Sequence, residues 1–126
     1  MTKISFKLTS GLNAISLNWP IKFSRIKVEK LRYITSVDYT GVLSIQWQGL
    51  DIHSYVDATK VFEYFFMLFV ENSNNRCINF ISQNDDWDYE GITRDFTNFT
   101  INVYIDGVID SGITANNPLL IEFEYV

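Results

Sequence analysis

Apolar and polar residues alternate with a period of two along most of this chain. The clearest run spans residues 99–105, and similar runs begin at Ile4 and at Leu119. Because successive side chains of a strand point to opposite faces of a sheet, this alternation predicts half-buried β-strands. Turn signals such as Asp106-Gly107 separate the runs. The pattern predicts eight or nine strands over the whole chain.

The apolar positions of the clearest run should form part of the core. We expect the following side chains to be buried together: Phe99, Ile101, Val103, Ile105, Ile121 and Phe123. All six belong to strands that alternate regularly, so each strand has one apolar face to bury.

Between residues 21 and 33 the alternation changes parity twice. Ile21 and Phe23 share one parity, Ile26 and Val28 the other, and Leu31 and Tyr33 return to the first. Each switch predicts a β-bulge or a corner between two sheets, because an extra residue shifts all later side chains to the other face. Pro20 cannot donate a ladder hydrogen bond and predicts a bend or a sheet edge.

The segment from Val61 to Val70 is almost continuously apolar, with Glu63 as its interruption. Such a run predicts a central strand covered on both faces. A buried helix is the alternative, but the density of aromatic and β-branched residues favours a strand. Residues 72–75, Asn-Ser-Asn-Asn, form a turn cluster after it.

Length and composition favour the same fold class. The 126 residues suit one domain spanning residues 1–126, and the 16% aromatic content suits a pleated core of large side chains. No alternation of strands with helical segments suggests a βαβ unit. We therefore predict an all-β, two-sheet antiparallel sandwich of jelly-roll-like type. An immunoglobulin-like sandwich is less favoured because Cys77 is the only cysteine.

Three features concern the compartment. A single cysteine excludes an intrachain disulfide, so folding does not need an oxidising environment. Residues 1–7 lack the apolar stretch of a secretory signal. The longest apolar run is too short for a membrane-spanning helix. We expect a protein that folds in a reducing, cytosol-like space, without a signal peptide and without a membrane partner.

Charge is distributed unevenly along the chain. The net charge of −5 disfavours nonspecific nucleic-acid binding, and we expect no nucleic-acid partner. Residues 1–32 hold seven Lys/Arg and one acid, which gives +6, whereas residues 33–126 hold three and fourteen, which gives −11. Opposite surfaces could favour self-association or docking. Alternatively, strands from both segments intermingle in the fold and the asymmetry cancels in space.

An acidic segment covers residues 83–95. It contains Asp85, Asp86 and Asp88, with Trp87 before Asp88 and Tyr89 after it. Aromatic residues in a polar loop are typical of contact sites, so these five residues are candidates for an interface. Alternatively, the two rings fold back over the sandwich as a lid. Calcium binding is a weaker alternative, because Tyr89 occupies the position at which an EF-hand loop has glycine.

One basic stretch could bind an anionic partner. Its five cations are further candidates for an interface: Lys22, Arg25, Lys27, Lys30 and Arg32. Glu29 interrupts them, and they fall on both faces of a strand. The stretch and the acidic segment are the two places where we expect contacts between subunits.

Catalysis and metal binding have little support in the residues. His53 is the only histidine, and Asp51 and Ser54 lie beside it. A Ser-His-Asp triad needs a particular geometry, which adjacency on a strand does not provide. A small jelly-roll enzyme would need a polar pocket of carboxylates around His53. One His and one Cys cannot complete a structural zinc site. We expect no enzymatic activity and no cofactor.

A carbohydrate- or receptor-binding module is the main alternative. Sugars stack on exposed aromatic rings, and Trp47, Trp87 and Tyr89 are the candidates. A concave patch of exposed aromatic residues would distinguish this alternative.

The two ends of the chain resemble a known family. Residues 8–17 lead through Pro20-Ile21 to residues 28–34, and residues 99–107 precede residues 118–123. These segments resemble the first and last strands of small single jelly-roll minor capsid proteins of virophages, polinton-like viruses and large DNA viruses. Residues 36–98 carry no such resemblance.

That resemblance implies a structural role. It implies a penton or cement subunit, with no catalytic residues, that contacts itself and other capsid proteins. It also implies a homo-oligomer located in the virion after folding in the host cytoplasm or in a viral factory.

Overall fold

The computed structural model of the chain describes residues 1–34, 40–71 and 77–126. These residues form ten strands: β1 Thr2–Leu8, β2 Leu12–Ile34, β3 Thr40–Trp47, β4 His53–Asp57, β5 Lys60–Tyr64, β6 Phe66–Glu71, β7 Cys77–Ile81, β8 Tyr89–Ile105, β9 Val108–Ile109 and β10 Leu119–Tyr125. No part of the chain described here is a helix that could span a membrane. The predicted all-β fold class is confirmed, whereas the predicted turn at 72–75 lies outside the described residues.

The main sheet is antiparallel and curls because strand β2 is shared between two layers. Its order is β1-β10-β2-β8-β3-β6, with β7 also paired to β2 and β9 to β8. The part of β2 from Ile26 onward pairs with β10 and β7, and the part up to and including Ile26 pairs with β8. The first layer therefore contains β1, β10, the end of β2 and β7. The second layer contains the start of β2, β8, β3 and β6.

The two layers pack face to face through aromatic side chains. The ring centroids of Trp47 on β3 and Phe123 on β10 are 5.3 Å apart, and those of Phe6 on β1 and Phe99 on β8 are 6.0 Å apart. Both pairs meet edge to face, which is a preferred aromatic geometry. Each pair joins one layer to the other, as a sandwich requires.

The irregularities of β2 occur where the sequence predicts them. The β2–β8 register shifts between Ser16 and Ile21, on either side of Pro20, and again between Phe23 and Arg25. The β2–β10 register shifts at Glu122/Phe123, opposite Glu29 of β2. The second and third shifts coincide with the two changes of parity. These bulges keep apolar residues on the core face while β2 passes from one layer to the other.

The predicted core is confirmed except at one position. Phe99, Ile101, Val103, Ile121 and Phe123 are buried. Ile105 is only half-buried, because it ends β8 beside the Asp106-Gly107 turn, where the core ends.

The prediction of one central strand over Val61–Val70 is wrong. The chain bends at Phe65, which is buried and donates its backbone N–H to the Ile45 carbonyl at 2.8 Å. β5 before the bend pairs with β4 in a separate two-stranded sheet, and β6 after it is the last strand of the main sheet beside β3. One face of each strand is therefore open to solvent. Phe69 is 72% exposed.

The β4–β5 hairpin is attached to the second layer. Gln46 Nε2 of β3 donates to the Glu63 carbonyl at 2.7 Å. At the β8–β9 turn, a Cβ atom on Gly107 would lie 2.1 Å from the Phe62 ring, so only glycine allows the turn and the hairpin to approach this closely.

Candidate functional site

The segment between β7 and β8 is not a strand, but it lies alongside β2 and is hydrogen-bonded to it at both ends. At its start the Ser82 N–H donates to the Glu29 carbonyl at 2.9 Å, and at its end the Asp88 N–H donates to the Ile26 carbonyl at 3.0 Å. We call residues 82–88 the 82–88 loop. It holds most of the predicted acidic interface.

The Lys27 side chain joins the basic stretch to this loop within one molecule. Its Nζ donates to the Asn84 carbonyl at 3.1 Å, lies 3.8 Å from Glu29 Oε2 and lies 5.6 Å from the centroid of the Trp87 ring. The side chain is buried. An ammonium over an indole face at this distance makes a favourable cation–π contact. Lys27 and Trp87 therefore hold the loop on the sandwich.

Asp88 secures the other end of the loop. Its Oδ2 accepts the Val28 N–H at 2.7 Å. Burial raises the pKa of this carboxyl to about 6, and the Val28 hydrogen bond, His53 and Lys27 act in the opposite direction. Asp88 is thus occupied as an acceptor for the backbone of β2.

The two aromatic residues of the acidic segment fold back on the sandwich. Tyr89 is buried, and its hydroxyl donates to the Ile92 carbonyl at 2.8 Å. Trp87 is half-buried over Lys27. The exposed acids of the loop are Asp85 and Asp86. This arrangement matches the alternative in which the two rings form a lid.

Basic and acidic segments of the sequence interleave in the sheet. Arg25 Nε lies 3.2 Å from Glu90 Oε2, and Lys22 is opposite Asp95 in the β2–β8 ladder. Much of the charge asymmetry along the chain therefore cancels between neighbouring strands.

The last two cations of the basic stretch line a groove on the outer face of the first layer. Four strands place Lys7, Leu120, Arg32 and Asn79 in one row and Ser5, Glu122, Lys30 and Ile81 in the next. These eight residues line a concavity of about 480 Å³, which we call the outer groove. The strand register creates the groove, which is why Lys7, Leu120 and Ile81 were not identified from the sequence.

The outer groove is amphipathic, with an excess of positive charge. Within the described residues, Lys7, Lys30 and Arg32 have no carboxylate oxygen within 4.0 Å. Glu122 is contacted by Lys3 at 3.9 Å and by Ser5 Oγ at 3.4 Å. Leu120 and Ile81 are 46% and 48% exposed. Apolar side chains thus lie between unpaired cations.

The residues around His53 do not form a triad. His53 is exposed, stacks on Tyr64 at 5.4 Å between ring centroids, and places Nε2 3.4 Å from the Asp88 carbonyl oxygen. The Asp51 carboxylate accepts the Trp47 backbone N–H at 2.9 Å. Burial raises the pKa of Asp51 to about 6 against that hydrogen bond. Over the chain described here, no group of three or more His, Cys, Asp or Glu side chains could hold a metal ion.

The aromatic residues proposed for sugar stacking are placed differently from the expectation. Trp47 is 0% exposed and sits at the centre of the core, so its assignment to a sugar platform was wrong. Trp19 is 66% exposed, in the bulge of β2 next to Pro20. Sequence reasoning missed the exposure of Trp19. Pro20 was the signal that could have revealed it, because Pro20 predicts a bulge and a bulge changes the direction of the neighbouring side chains.

No family model matches the chain, and no curated protein or solved structure matches it either.

Proposed function

We propose that this protein is a non-enzymatic structural subunit of a viral capsid, of the minor capsid, penton or cement type. It acts through contacts with itself and with other capsid proteins and needs no cofactor. The observation that carries the proposal is the outer groove, in which Leu120 and Ile81 lie exposed between Lys7, Lys30 and Arg32, three cations without a carboxylate partner among the described residues.

The composition of the groove suits a protein partner. Interfaces combine an apolar centre with a polar rim, and arginine is enriched in them. The groove is built on four hydrogen-bonded strands rather than on a loop. A rigid surface loses little conformational freedom when it binds, so more of the contact energy appears as affinity.

The sheet edges also support lateral contacts. In the topology of the described strands, β1 and β6 are the two ends of the main sheet. An edge strand presents unpaired backbone groups to a neighbour. β1 carries Lys3 and Lys7, which discourage uncontrolled pairing, whereas β6 presents Phe69. β6 is therefore the better edge for a neighbouring subunit.

The viral assignment rests on the two ends of the sequence. Within the segments that resemble minor capsid proteins, residues 12–17 lie in β2 and residues 99–105 lie in β8, and these strands pair with each other. On this proposal the protein folds in the host cytoplasm or a viral factory and resides in the virion.

The test is co-assembly with a candidate major capsid protein, measured by co-sedimentation. We expect Leu120→Lys to reduce incorporation strongly, because it adds a charge to the apolar centre of the groove. Val108→Lys is the matched control, since Val108 is also an exposed apolar residue but lies in β9 on the other layer. The proposal fails if the parent neither co-sediments with any capsid partner nor associates with itself.

A carbohydrate-binding module remains the second candidate, and Trp19 favours it. Near this exposed ring the outer face of the second layer is neutral and polar: Ser16 Oγ donates to Asn98 Oδ1 at 2.8 Å, and Thr100 Oγ1 donates to Gln48 Oε1 at 3.2 Å. Glycan-array binding that Trp19→Ala abolishes would favour this function over the structural one.

A further inference from the structure

Two patches of opposite charge lie on one face of the first layer. Lys27, Lys30 and Arg32 lie on the outer face, because Val28 and Leu31 between them pack in the core. Lys30 and Arg32 line the outer groove, whereas Lys27 contacts the 82–88 loop. This loop carries the exposed acids Asp85 and Asp86. Cations and acids are therefore separated along the direction of β2.

The acidic patch is held in a defined conformation. The loop is fixed to β2 at Ser82 and Asp88, and the Asn84 side chain accepts the Asp86 N–H at 3.0 Å. Among the described residues, Asp85 and Asp86 have no Lys or Arg nitrogen within 4.0 Å. The same part of the chain gives no carboxylate partner for Lys7, Lys30 or Arg32, so two acids on an ordered loop are complementary to three cations in an ordered groove.

We propose that the outer groove is occupied by the 82–88 loop of a second copy of this chain, in a two-fold symmetric dimer. An interface around a two-fold axis uses the same surface on both copies, so a surface with a positive and a negative half is complementary to itself. Each loop then meets the partner's groove, and the contact is made twice. This inference rests on the proposed structural function and names the partner of the same groove.

The two kinds of side chain have different roles in this dimer. Leu120 and Ile81 of both copies lie near the centre and lose solvent, whereas the Asp–Lys/Arg pairs lie toward the rim. Rim charges mainly set orientation and association rate, and salt screens them. The dimer should therefore weaken, without disappearing, as the salt concentration rises.

Charge-reversal variants test the arrangement by sedimentation velocity on the full chain. The parent should move from its monomer mass of 14.7 kDa to twice that mass as concentration rises, and no further. Arg32→Glu alone and Asp86→Arg alone should each raise the dimer dissociation constant by roughly tenfold or more, because each places like charges opposite each other. Lys60→Glu and Asp95→Arg are exposed controls with the same charge changes and should dimerise like the parent.

The decisive measurement is a mixture of the two single variants. In a mixed dimer one contact keeps the original charges and the other has both reversed, so the mixture should recover a 1:1 dimer. Lys7→Glu replaces Arg32→Glu if the latter fails to give the folded circular dichroism spectrum.

Three results would overturn the proposed dimer: a parent that stays monomeric to about 1 mM, variants that dimerise like the parent, or a mixture that does not recover. A parent that is monomeric alone but co-sediments with another capsid protein would refute the dimer and leave the structural function standing. Absence of both would refute both.

Discussion

The ammonium of Lys27 lies 5.6 Å from the centroid of the Trp87 ring, beneath a loop that connects the two layers of the sandwich. The sequence marks Lys27 and Trp87 as candidates for an interface between subunits, and in the folded chain they contact each other. This contact also keeps the 82–88 loop on β2, so the exposed acids of the loop have a fixed position.

A double-mutant cycle measures this contact. We expect Trp87→Ala and Lys27→Met each to lower the free energy of unfolding, with a coupling of about 0.5–2 kcal/mol between them, because the ammonium is partly desolvated against the ring. Urea titration of the four proteins provides the values. Trp87→Phe should retain part of the coupling, since it keeps an aromatic face. Additive losses would show that Lys27 and Trp87 contribute independently.

The pH dependence of stability should reveal Asp88. Burial raises the pKa of its carboxyl from 3.8 to about 6, so the folded chain binds this proton more tightly than the unfolded chain does. The contribution of Asp88 is therefore most favourable below pH 4 and is lost as the pH rises from about 4 to about 6. Asp88→Asn keeps an acceptor for the Val28 N–H and should remove a pH-dependent change on the order of 1–3 kcal/mol.

Urea titrations between pH 3.5 and 7.5 measure this change. Asp85→Asn is the matched control, since Asp85 is an exposed acid of the same loop. Asp51, whose pKa is raised in the same direction, should leave a residual slope in both variants. Equal pH dependence in the parent and in Asp88→Asn would contradict the expected role of Asp88.

The core of β8 gives a graded prediction. Ile101 is fully buried, whereas Ile105 is half-buried at the end of the same strand. Ile101→Ala should cost about 2–5 kcal/mol from lost burial and the remaining cavity, and Ile105→Ala should cost clearly less. Denaturant titration compares them directly, and equal losses would mean that the core extends further toward the β8–β9 turn.

His53 and Cys77 should be dispensable for assembly. His53 is exposed and makes one long contact to a backbone oxygen, and Cys77 is a half-buried thiol of β7. We expect His53→Ala and Cys77→Ser to sediment like the parent, and purified protein to contain no stoichiometric zinc. Zinc at one equivalent per chain, or loss of assembly in a normally folded His53→Ala, would contradict this expectation.

Local patterns explain which parts of the fold the sequence predicts. Residues 99–105 alternate without interruption, and the parity changes in β2 mark its bulges, since both signals arise within one strand. The bend at Phe65 has no turn residue beside it. It depends on a hydrogen bond to Ile45, twenty residues earlier in the chain. The continuous apolar run from Val61 to Val70 therefore gave no indication that its two halves belong to different sheets.

The candidate site was predictable only in part. Lys30 and Arg32 were identified as a basic pair, but their neighbours across the sheet depend on register. Lys7 and Leu120 join them through the β1–β10 and β10–β2 pairings, which connect the two ends of the chain. Pairing between segments this distant leaves no local signature in one sequence.

The turn between β8 and β9 provides a final prediction about the hairpin that packs on it. Asp106 and Gly107 have φ values of 49° and 77°, the positive values that a tight type I′ hairpin turn requires at both positions. A side chain on Gly107 would also meet the Phe62 ring. Gly107→Ala should therefore destabilise the protein in two ways, by backbone strain of about 1–3 kcal/mol and by displacing the β4–β5 hairpin.

The Phe62→Ala background separates the two effects, because it removes the ring and leaves the strain. We expect urea titration to show that Gly107→Ala lowers the free energy of unfolding less in the Phe62→Ala background than in the parent. Amide exchange in residues 53–64 should be faster in the Gly107→Ala single variant than in Phe62→Ala. If Gly107→Ala costs the same in both backgrounds, Phe62 does not pack against the turn and the hairpin is held by the Gln46–Glu63 hydrogen bond instead.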